Sequence, residues 1–514
     1  MRINIVGGGP AGLFFALLMK KLDSRHEITL YERDPAGNSY GWGIVLSERS
    51  LATLRGADFE SYADLIEVAE LWKNVEVVHA GERITIGGNE FSGLERIGLL
   101  NILQRRCQAL GVKLEFEANV DGLDGVSDCD LLVGADGLKS TVRETDRAQF
   151  LPRIEERPNK YIWYGSPRAF SGLTMIFRPH DDGLYIAHAY RFQPKLSTFI
   201  IECDPDTWSR GGHSGRTEEQ TAAYLAEVFR EDLGGAPLLS NRSLWYNFLL
   251  VRNGNWHHRN VVLLGDALHS VHFSIGSGTT LAIEDAIALA GALAQEVSVA
   301  AGLEAFERLR KPRVDSLQDA AIDSLVWLEN VKGDLELHPL PFAFRLMSRS
   351  NRVNYRRLKQ QDPGFVARYE SWRWENEGPI HREFLDLFQK KAYGHVATLM
   401  KDGRPHVTPV YVDFDGRYIL INSTKGRQKD LNMERRRKVA LEIPDPDQPL
   451  RYLGIQGEVV EISEEGAEAH LDKLAQRYHG RERYPASWKF PREVRRIYKI
   501  RPDKVIHWDP FGGW

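Results

Sequence analysis

The sequence predicts an α/β chain in two parts, a doubly wound nucleotide-binding region interleaved with a second β-sheet, then an antiparallel C-terminal barrel. Three observations carry this: a glycine-rich turn between the first strand and the first helix, two later strands that each deliver an aspartate into a glycine turn, and closely spaced strand-like runs after about residue 380. The first element is the short buried run Ile3–Val6, followed by Gly7-Gly8-Gly9-Pro10-Ala11-Gly12 and the apolar helix Leu13–Met19. Gly7 permits the tight turn, Gly9 lets backbone approach a pyrophosphate, and Gly12 lets helix and strand pack closely. The helix start supplies oriented N–H groups for phosphates. The strand Glu27–Tyr31 ends at Glu32, at the spacing for bonding an adenosine ribose hydroxyl, with Arg33 beside it. Strand, G-x-G-x-x-G, helix, strand and acidic residue together imply a dinucleotide site.

The 514 residues suggest about three packing units, at roughly 100–200 residues per domain. With 42% hydrophobic and 27% charged residues the chain can bury several cores, which excludes wholesale disorder. A net charge of −4 lacks the basic footprint of a dedicated nucleic-acid binder. Cys107, Cys129 and Cys203 form no C-x-x-C pair, so a disulfide framework is not expected and a reducing cytoplasm fits. The apolar runs are too short to span a bilayer, and Met1–Val6 reads as a strand, not a signal peptide. The 12 Trp, 18 Tyr and 22 Phe suit cores, or flat ligands that stack on rings.

Next come the strand Cys129–Gly134, which delivers Asp136 into a glycine turn, and the strand Val261–Leu264, which ends in Gly265-Asp266. Aspartates at the ends of parallel strands project into the ligand crevice, although each alone could be a turn or helix cap. In this order after the glycine fingerprint, the motifs resemble the single-component FAD-dependent aromatic hydroxylases. The runs Gly41-Trp42-Gly43-Ile44-Val45-Leu46-Ser47 and His272–Ala286, with Phe342–Pro363, are similar to the branch containing salicylyl-CoA 5-hydroxylase and anthraniloyl-CoA monooxygenase, over residues 1–375. The resemblance implies a Rossmann-like FAD-binding domain interleaved with a substrate β-sheet domain. It implies NAD(P)H as reductant, O2 as co-substrate and a flavin hydroperoxide as oxidant, so no catalytic side chain is nominated. It places Asp136 near flavin and nicotinamide, Asp266 at the ribityl–phosphate region, and Arg96 on the pyrophosphate.

The loop Gly276, Ser277, Gly278 and Thr279 opens a helix. Its small residues allow backbone to approach an isoalloxazine ring, and its N–H groups can stabilise negative charge there. Trp42 joins the substrate candidates. His180, Tyr185 and His188 fall on strands of the presumed substrate layer; His188 is nominated, although a satisfied core residue accounts for it as well. His269 and His272 lack a third ligand at suitable spacing, and no metal is expected. Arg345–Lys359 is basic, and reads either as a solvated helix face or, through Arg349 and Arg352, as a platform for the phosphates of a CoA-linked substrate.

The expected boundary is near 380, with FAD-binding parts at 1–150 and 255–310, the substrate sheet at 151–254 and a helical tail at 311–380. After it come His395–Met400, His406–Phe414, Tyr418–Ser423, Val439–Ile443, Tyr452–Ile462 and Val494–Ile500, interrupted by one helix over Glu464–Tyr478. Charge shifts here too: about 25 Lys+Arg stand against about 20 Asp+Glu after residue 380. The text Ala392–Leu399, Gly403–Val410 and Asn422–Asn432 resembles the pyridoxamine-phosphate-oxidase-like split barrels, over 384–502, in the branch using FMN or the deazaflavin coenzyme F-420. That resemblance implies a homodimer with the cofactor at the interface. Lys425, Arg427 and Lys429 follow a strand in a glycine-containing turn suited to a phosphate, with Thr408, Pro409 and Asn432 beside it. Pro409 needs an edge or bulge. The aromatic tail Trp508–Trp514 reads as either a lid or a frayed end. The aryl-CoA hydroxylases with a fused partner carry a TIM-barrel reductase at this position; here a split barrel stands instead. The expected activity is monooxygenation of an aromatic, CoA-linked substrate coupled to reduction of the product. The alternatives are a barrel that feeds electrons to FAD and a non-catalytic dimerisation barrel.

Overall fold

The computed structural model describes residues 1–38 and 41–510, and the chain divides into two compact units, 1–352 and 353–514. In the first unit a six-stranded sheet is ordered His257–His258, Val261–Leu263, Leu131–Gly134, Arg2–Val6, Glu27–Tyr31, Lys113–Glu115, parallel except for the first hairpin. Ile3 and Ile5 on the first strand, Phe14 and Leu17 on the helix Pro10–Leu22, and Leu131 and Val133 on the neighbouring strand are wholly buried. The near-continuous apolar runs of these strands follow from being covered on both faces.

The second sheet has seven strands, ordered Tyr246–Asn253, Pro152–Ser166, Leu196–Cys203, Gly183–Gln193, Leu173–His180, Val75–His79, Glu82–Ile86. It therefore recruits the hairpin Val75–Ile86 from upstream of the 151–254 stretch, through the parallel pair Leu173↔Val75. Its register decides the site. Tyr161 pairs with Glu202, Glu202 with Ile186, and Ile200 with both Trp163 and His188, so these side chains share one face. The opposite face packs Tyr164, Phe199 and Ile201 against Leu225 and Phe229. No helix among the described residues is long and apolar enough to cross a membrane.

The second unit holds a closed six-stranded antiparallel barrel, the split barrel expected from the strand runs, ordered Tyr393–Leu399, Pro405–Phe414, Ile419–Thr424, Arg495–Trp508, Tyr452–Ser463, Lys438–Pro444. All six expected runs form strands. Two helices interrupt them, not one: Ala467–His479 and also Gln428–Arg435, which takes up Lys429 and Asn432. The helices Tyr355–Gln361 and Pro363–Asn376 group with the barrel in this unit. The chain leading to it is tied in by Arg373, which donates to Gly378 O, and by His381 N, which donates to His507 Nε2 at 3.0 Å. Of the tail Trp508–Trp514, Trp508 ends the last strand and residues 511–514 lie outside the described residues.

Candidate functional site

The glycine turn is built as its spacing requires. Gly7 sits at φ +109°, where its N–H donates to Tyr31 O at 2.8 Å, and a Cβ there would lie 2.2 Å from Ala135 O. A Cβ on Gly12 would meet Gly7 O at 2.2 Å. Both glycines are therefore fixed by close approach of the chain to itself. Gly9 differs: it caps the helix Pro10–Leu22, and a Cβ on it would meet nothing within 4 Å. That open space at a helix N-terminus is a cradle for a ligand phosphate. Glu32 accepts from Gly8 N at 2.6 Å and from Asp34 N at 2.9 Å, so its carboxylate is held at the rim. Gly7–Gly9, Glu32, Arg33, Arg96 and Asp136 line one cleft.

Asp136 accepts from Ser140 Oγ at 2.5 Å and from Thr141 N at 2.7 Å, so it caps the helix Thr141–Thr145 while it lines the cleft. The buried Arg143 donates to Leu138 O at 2.7 Å and Ala267 O at 3.0 Å, tying the two Gly-Asp turns together. This role has no sequence signal, because the two carbonyls come from turns far apart in the chain. Asp266 is raised from its ordinary value by burial, against the pull of Arg96 and His269. Burial likewise lowers Arg96 and Asp266 pulls it back. Each is the other's main compensating charge.

These residues fit FAD: a cradle that a Cβ would fill, N–H groups aimed at phosphate, a rim carboxylate, and the Arg96 cation acting on the Asp266 carboxylate. Bound there, FAD would be held by Gly7–Gly9, Glu32, Arg96 and Asp266, and it would supply the redox chemistry.

Across the unit, the Gly41–Gly43 strap lies on the shared face of the seven-stranded sheet. Gly43 N donates to Thr198 Oγ1 at 2.8 Å, and Tyr190 OH donates to Gly43 O at 2.7 Å. A Cβ on Gly41 would lie 2.7 Å from the Trp163 ring, and one on Gly165 would lie 2.6 Å from the Trp42 ring. Trp42 is thus wedged on the sheet, clamped by Thr198 and Tyr190, which sequence reasoning did not nominate. Phe273 closes the other side, 5.0 Å from Tyr161 and 5.1 Å from His188 between ring centroids. Gly276 takes φ +60°, and Ser277 caps the helix Gly278–Gln295, so Ser277, Gly278 and Thr279 present its free N–H groups.

His188 is 3% exposed with Nε2 3.5 Å from Glu202 Oε2; His272 Nε2 is 3.8 Å from the same oxygen. Burial would raise Glu202, but His188, His272 and Arg349 outweigh it and hold the carboxyl below its ordinary value. Burial pushes His272 down to about 3, so it stays neutral. The pair His269 and His272 diverges, with His269 Nε2 at 2.8 Å from Asp285 Oδ2. Arg349 corrects the surface-platform expectation: it turns inward, donating to Ser274 O at 2.7 Å and to Ser324 Oγ at 2.8 Å, while Arg352 is exposed.

In the barrel, Lys429 is 7% exposed and donates to Thr408 Oγ1 at 3.3 Å. Burial, with Arg427 and Arg495 adding repulsion, pulls it down to about 8. Two of these three cations are buried, Lys429 and Arg495, and Arg495 is bridged to the buried carboxylate of Glu493. Arg427 is exposed, stacked 5.7 Å from the Phe490 ring. Lys425 is not in this cluster: it pairs with Glu464 at 2.8 Å, both half exposed. Asn432 turns inward to Thr398 Oγ1 at 3.0 Å and ties its helix to the barrel. Pro409 lies where the Pro405–Phe414 strand has only one partner, because pairing to Ile419–Thr424 is confined to Val412–Phe414. A missing N–H costs no ladder bond on that free edge. Arg495 went unnominated because it arrives from the last strand.

The family model described as FAD binding domain matches residues 1–321. The chain belongs to the FAD binding domain family. The model described as pyridoxamine 5'-phosphate oxidase matches residues 380–509. Salicyloyl-CoA 5-hydroxylase of a Streptomyces species is 36% identical over 75% of this chain and 76% of its own length. Protodeoxyviolaceinate monooxygenase of Chromobacterium violaceum is 36% identical over 67% and 93%. The 3-hydroxy-4-methyl-anthranilyl-[aryl-carrier protein] 5-monooxygenase of Streptosporangium sibiricum is 35% identical over 71% and 99%. Among solved structures, a tetrameric form of 2-methyl-3-hydroxypyridine-5-carboxylic acid oxygenase matches with TM-score 0.56 at 19% identity, over 68% of this chain and 95% of that one. P. aeruginosa PqsL in complex with 2-aminobenzoylacetate gives 0.53 at 20%, over 64% and 96%. These two show the fold alone. This FAD binding domain protein is thus a flavin-dependent monooxygenase with a pyridoxamine 5'-phosphate oxidase-like C-terminal domain.

Proposed function

We propose a bifunctional flavoenzyme. The first unit oxygenates an aromatic substrate, an aryl-CoA thioester, with FAD, O2 and NAD(P)H; the barrel binds FMN or a deazaflavin and reduces the product. The observation that carries this reading is the presence in one chain of two distinct anion-holding sites, the Gly9 cradle and the Lys429 corner. The aryl thioester is supported by the name of the Streptomyces relative, a salicyloyl-CoA 5-hydroxylase, and the aromatic wall of Trp42, Trp163 and Phe273 suits a flat ring. In this reading the Gly276–Thr279 N–H groups face the isoalloxazine, the Trp42 strap holds water off the ring, and Arg352 is an exposed cation that would meet a CoA phosphate.

The buried Lys429, lowered by burial and by Arg427 and Arg495 beside it, argues against a merely structural barrel, since a buried charge is costly unless a ligand compensates it. The exposed Tyr393, Leu399 and Val407 lie on the paired strands Tyr393–Leu399 and Pro405–Phe414, and support a homodimer formed through the barrel. The three free cysteines suit a reducing cytoplasm.

The test is stopped-flow reduction of FAD by NAD(P)H, with salicyloyl-CoA as probe, in the native chain and in Lys429→Met. The two-step reading expects unchanged FAD reduction in the variant and accumulation of oxygenated, unreduced product. Loss of FAD reduction in Lys429→Met would instead make the barrel an electron feeder. Identical products from both proteins would make it non-catalytic.

A further inference from the structure

Arg349 follows the helix Pro339–Ser348, beyond the stretch matched by the FAD binding domain model, yet its guanidinium reaches back into the core of the site. Its Nε donates to Ser324 Oγ at 2.8 Å and its NH2 donates to Ser274 O at 2.7 Å; Ser274 Oγ and Ser324 Oγ lie 2.9 Å apart. A guanidinium only donates, so Ser324 Oγ accepts from it, and the same hydroxyl shares a hydrogen bond with Ser274 Oγ. Ser274 is thereby gripped at both its carbonyl and its hydroxyl. It belongs to the turn Phe273–Ile275, which runs directly into Gly276 at φ +60° and the helix starting at Gly278.

The charges around this turn come from every side. Glu202 from the sheet is 1% exposed, with neither carboxylate oxygen hydrogen-bonded in the structure. His188 and His272 stand 3.5 and 3.8 Å from it, and Arg157 is a further cation acting on His272. Arg157 is itself neutralised by Glu329. That leaves Arg349 as the full positive charge that acts on Glu202 without a carboxylate bonded to it. Three elements distant in sequence meet here: the sheet through Glu202, the long helix Val299–Glu329 through Ser324, and the end of Pro339–Ser348 through Arg349.

We propose that Arg349, with Glu202 as its countercharge, is a positioning residue that holds the Gly276–Thr279 turn and supplies positive potential behind its N–H groups. The inference rests on the reading that FAD's isoalloxazine faces this turn. A planar fork is what the geometry uses, because a lysine could not satisfy Ser324 Oγ and Ser274 O with two N–H groups of one rigid plane. A lysine would still keep the charge. The two contributions, grip and potential, therefore separate by substitution.

The test uses the full chain in two states. In flavin-free protein, hydrogen–deuterium exchange is followed over residues 275–281, with the buried strand Leu131–Gly134 as internal control. In FAD-loaded protein, the flavin midpoint potential is titrated. Arg349→Gln is expected to speed exchange of the turn at least tenfold with the control strand unchanged. It should also shift the reduction equilibrium at least tenfold toward oxidised flavin, which is about 30 mV for a two-electron couple. Arg349→Lys should speed exchange but keep the potential within threefold of the native equilibrium. Glu202→Gln combined with Arg349→Gln should be non-additive in exchange.

Unchanged exchange of the turn in Arg349→Gln overturns the grip. Equal potentials in native, Lys and Gln proteins overturn the electrostatic role. If Arg349→Gln does not fold, Arg349→Lys carries the exchange test and Glu202→Gln the potential. Failure of the native chain to retain FAD would sink the monooxygenase reading, while the flavin-free exchange result would stand on its own.

Discussion

The glycine cleft of the first unit and the Lys429 corner of the barrel are built on opposite electrostatic plans. The cleft leans on the backbone: Gly9 opens space and the helix Pro10–Leu22 aims N–H groups into it, with Arg96 beside it as a side-chain cation and the carboxylate of Glu32 at its rim. The corner uses side-chain cations: a buried ammonium on the Thr408 hydroxyl, beside the guanidinium groups of Arg427 and Arg495, the second of them bridged to Glu493. The contrast is between prepaid and titratable electrostatics. Backbone dipoles carry no proton equilibrium and are fixed by the fold. A buried lysine must be charged against its own desolvation, and so it answers to pH.

The largest effect tests the backbone half. Gly9→Ala puts a methyl where the structure has nothing within 4 Å, so folding should be untouched and the melting temperature unchanged. The methyl then fills the phosphate cradle. FAD affinity, read by fluorescence quenching, should fall about 100-fold or more, roughly 2.7 kcal/mol, by the conversion of 1.4 kcal/mol per tenfold. Barrel cofactor content should be unaffected. Full FAD retention by Gly9→Ala would break the comparison, because the cleft would then not be a backbone site. Gly12→Ala is the contrasting variant: its Cβ collides with Gly7 O at 2.2 Å, so it should lose stability as well as FAD.

Next in size is Lys429→Met. Removing the ammonium while keeping the stem should weaken the barrel cofactor about tenfold or more, measured as cofactor retained after gel filtration, with FAD content constant. The ligand-free chain should become more stable, since an uncompensated buried charge is gone. A variant that keeps its cofactor and loses stability would recast Lys429 as a packing residue.

The same lysine gives the pH test. Its folded value is about 8 against an ordinary 10.5. Between those values the unfolded chain carries more of this proton than the folded chain, so in ligand-free protein its contribution to stability rises with pH across about 8 to 10.5. Binding runs the other way. An anionic ligand selects the ammonium, so barrel affinity should be flat below about pH 8 and fall above it. FAD affinity, set by backbone, should show no step there. Calorimetric titration at pH 7 and pH 9.5 checks both, and parallel pH curves for the two sites would erase the distinction.

This difference also explains what was legible in the sequence. A backbone site must spell itself in contiguous glycines, because Gly7, Gly9 and Gly12 serve one turn, and alternation exposed all six barrel strands. A side-chain site assembles from afar. Arg495 reaches Lys429 from the last strand, and Glu202, Ser274, Ser324 and Arg349 meet only through packing. No spacing rule links them. The helix Gln428–Arg435 went unseen because its polar residues carry little apolar period. The hairpin Val75–Ile86 takes its place beside Leu173–His180 by a tertiary pairing that no local spacing encodes. Arg349 was noticed as a basic residue and misplaced in space, since charge alone does not say which way a side chain turns.

The smallest effect is also the sharpest check on counting cations. Lys425 and Lys429 are four residues apart and look equivalent in the sequence. In the structure Lys425 is half exposed and paired with Glu464 at 2.8 Å, while Lys429 is buried against Thr408. An exposed pair is worth about 0–1 kcal/mol, and screening by salt reduces it further. Lys425→Ala should therefore move the melting temperature by no more than about 2 °C and leave barrel cofactor affinity within about twofold. The direction with salt is fixed as well: any stability difference should shrink as ionic strength rises, whereas the gain in stability of ligand-free Lys429→Met should persist because a buried charge is poorly screened. Comparable losses from the two substitutions would mean that net positive charge, not burial, governs the barrel site.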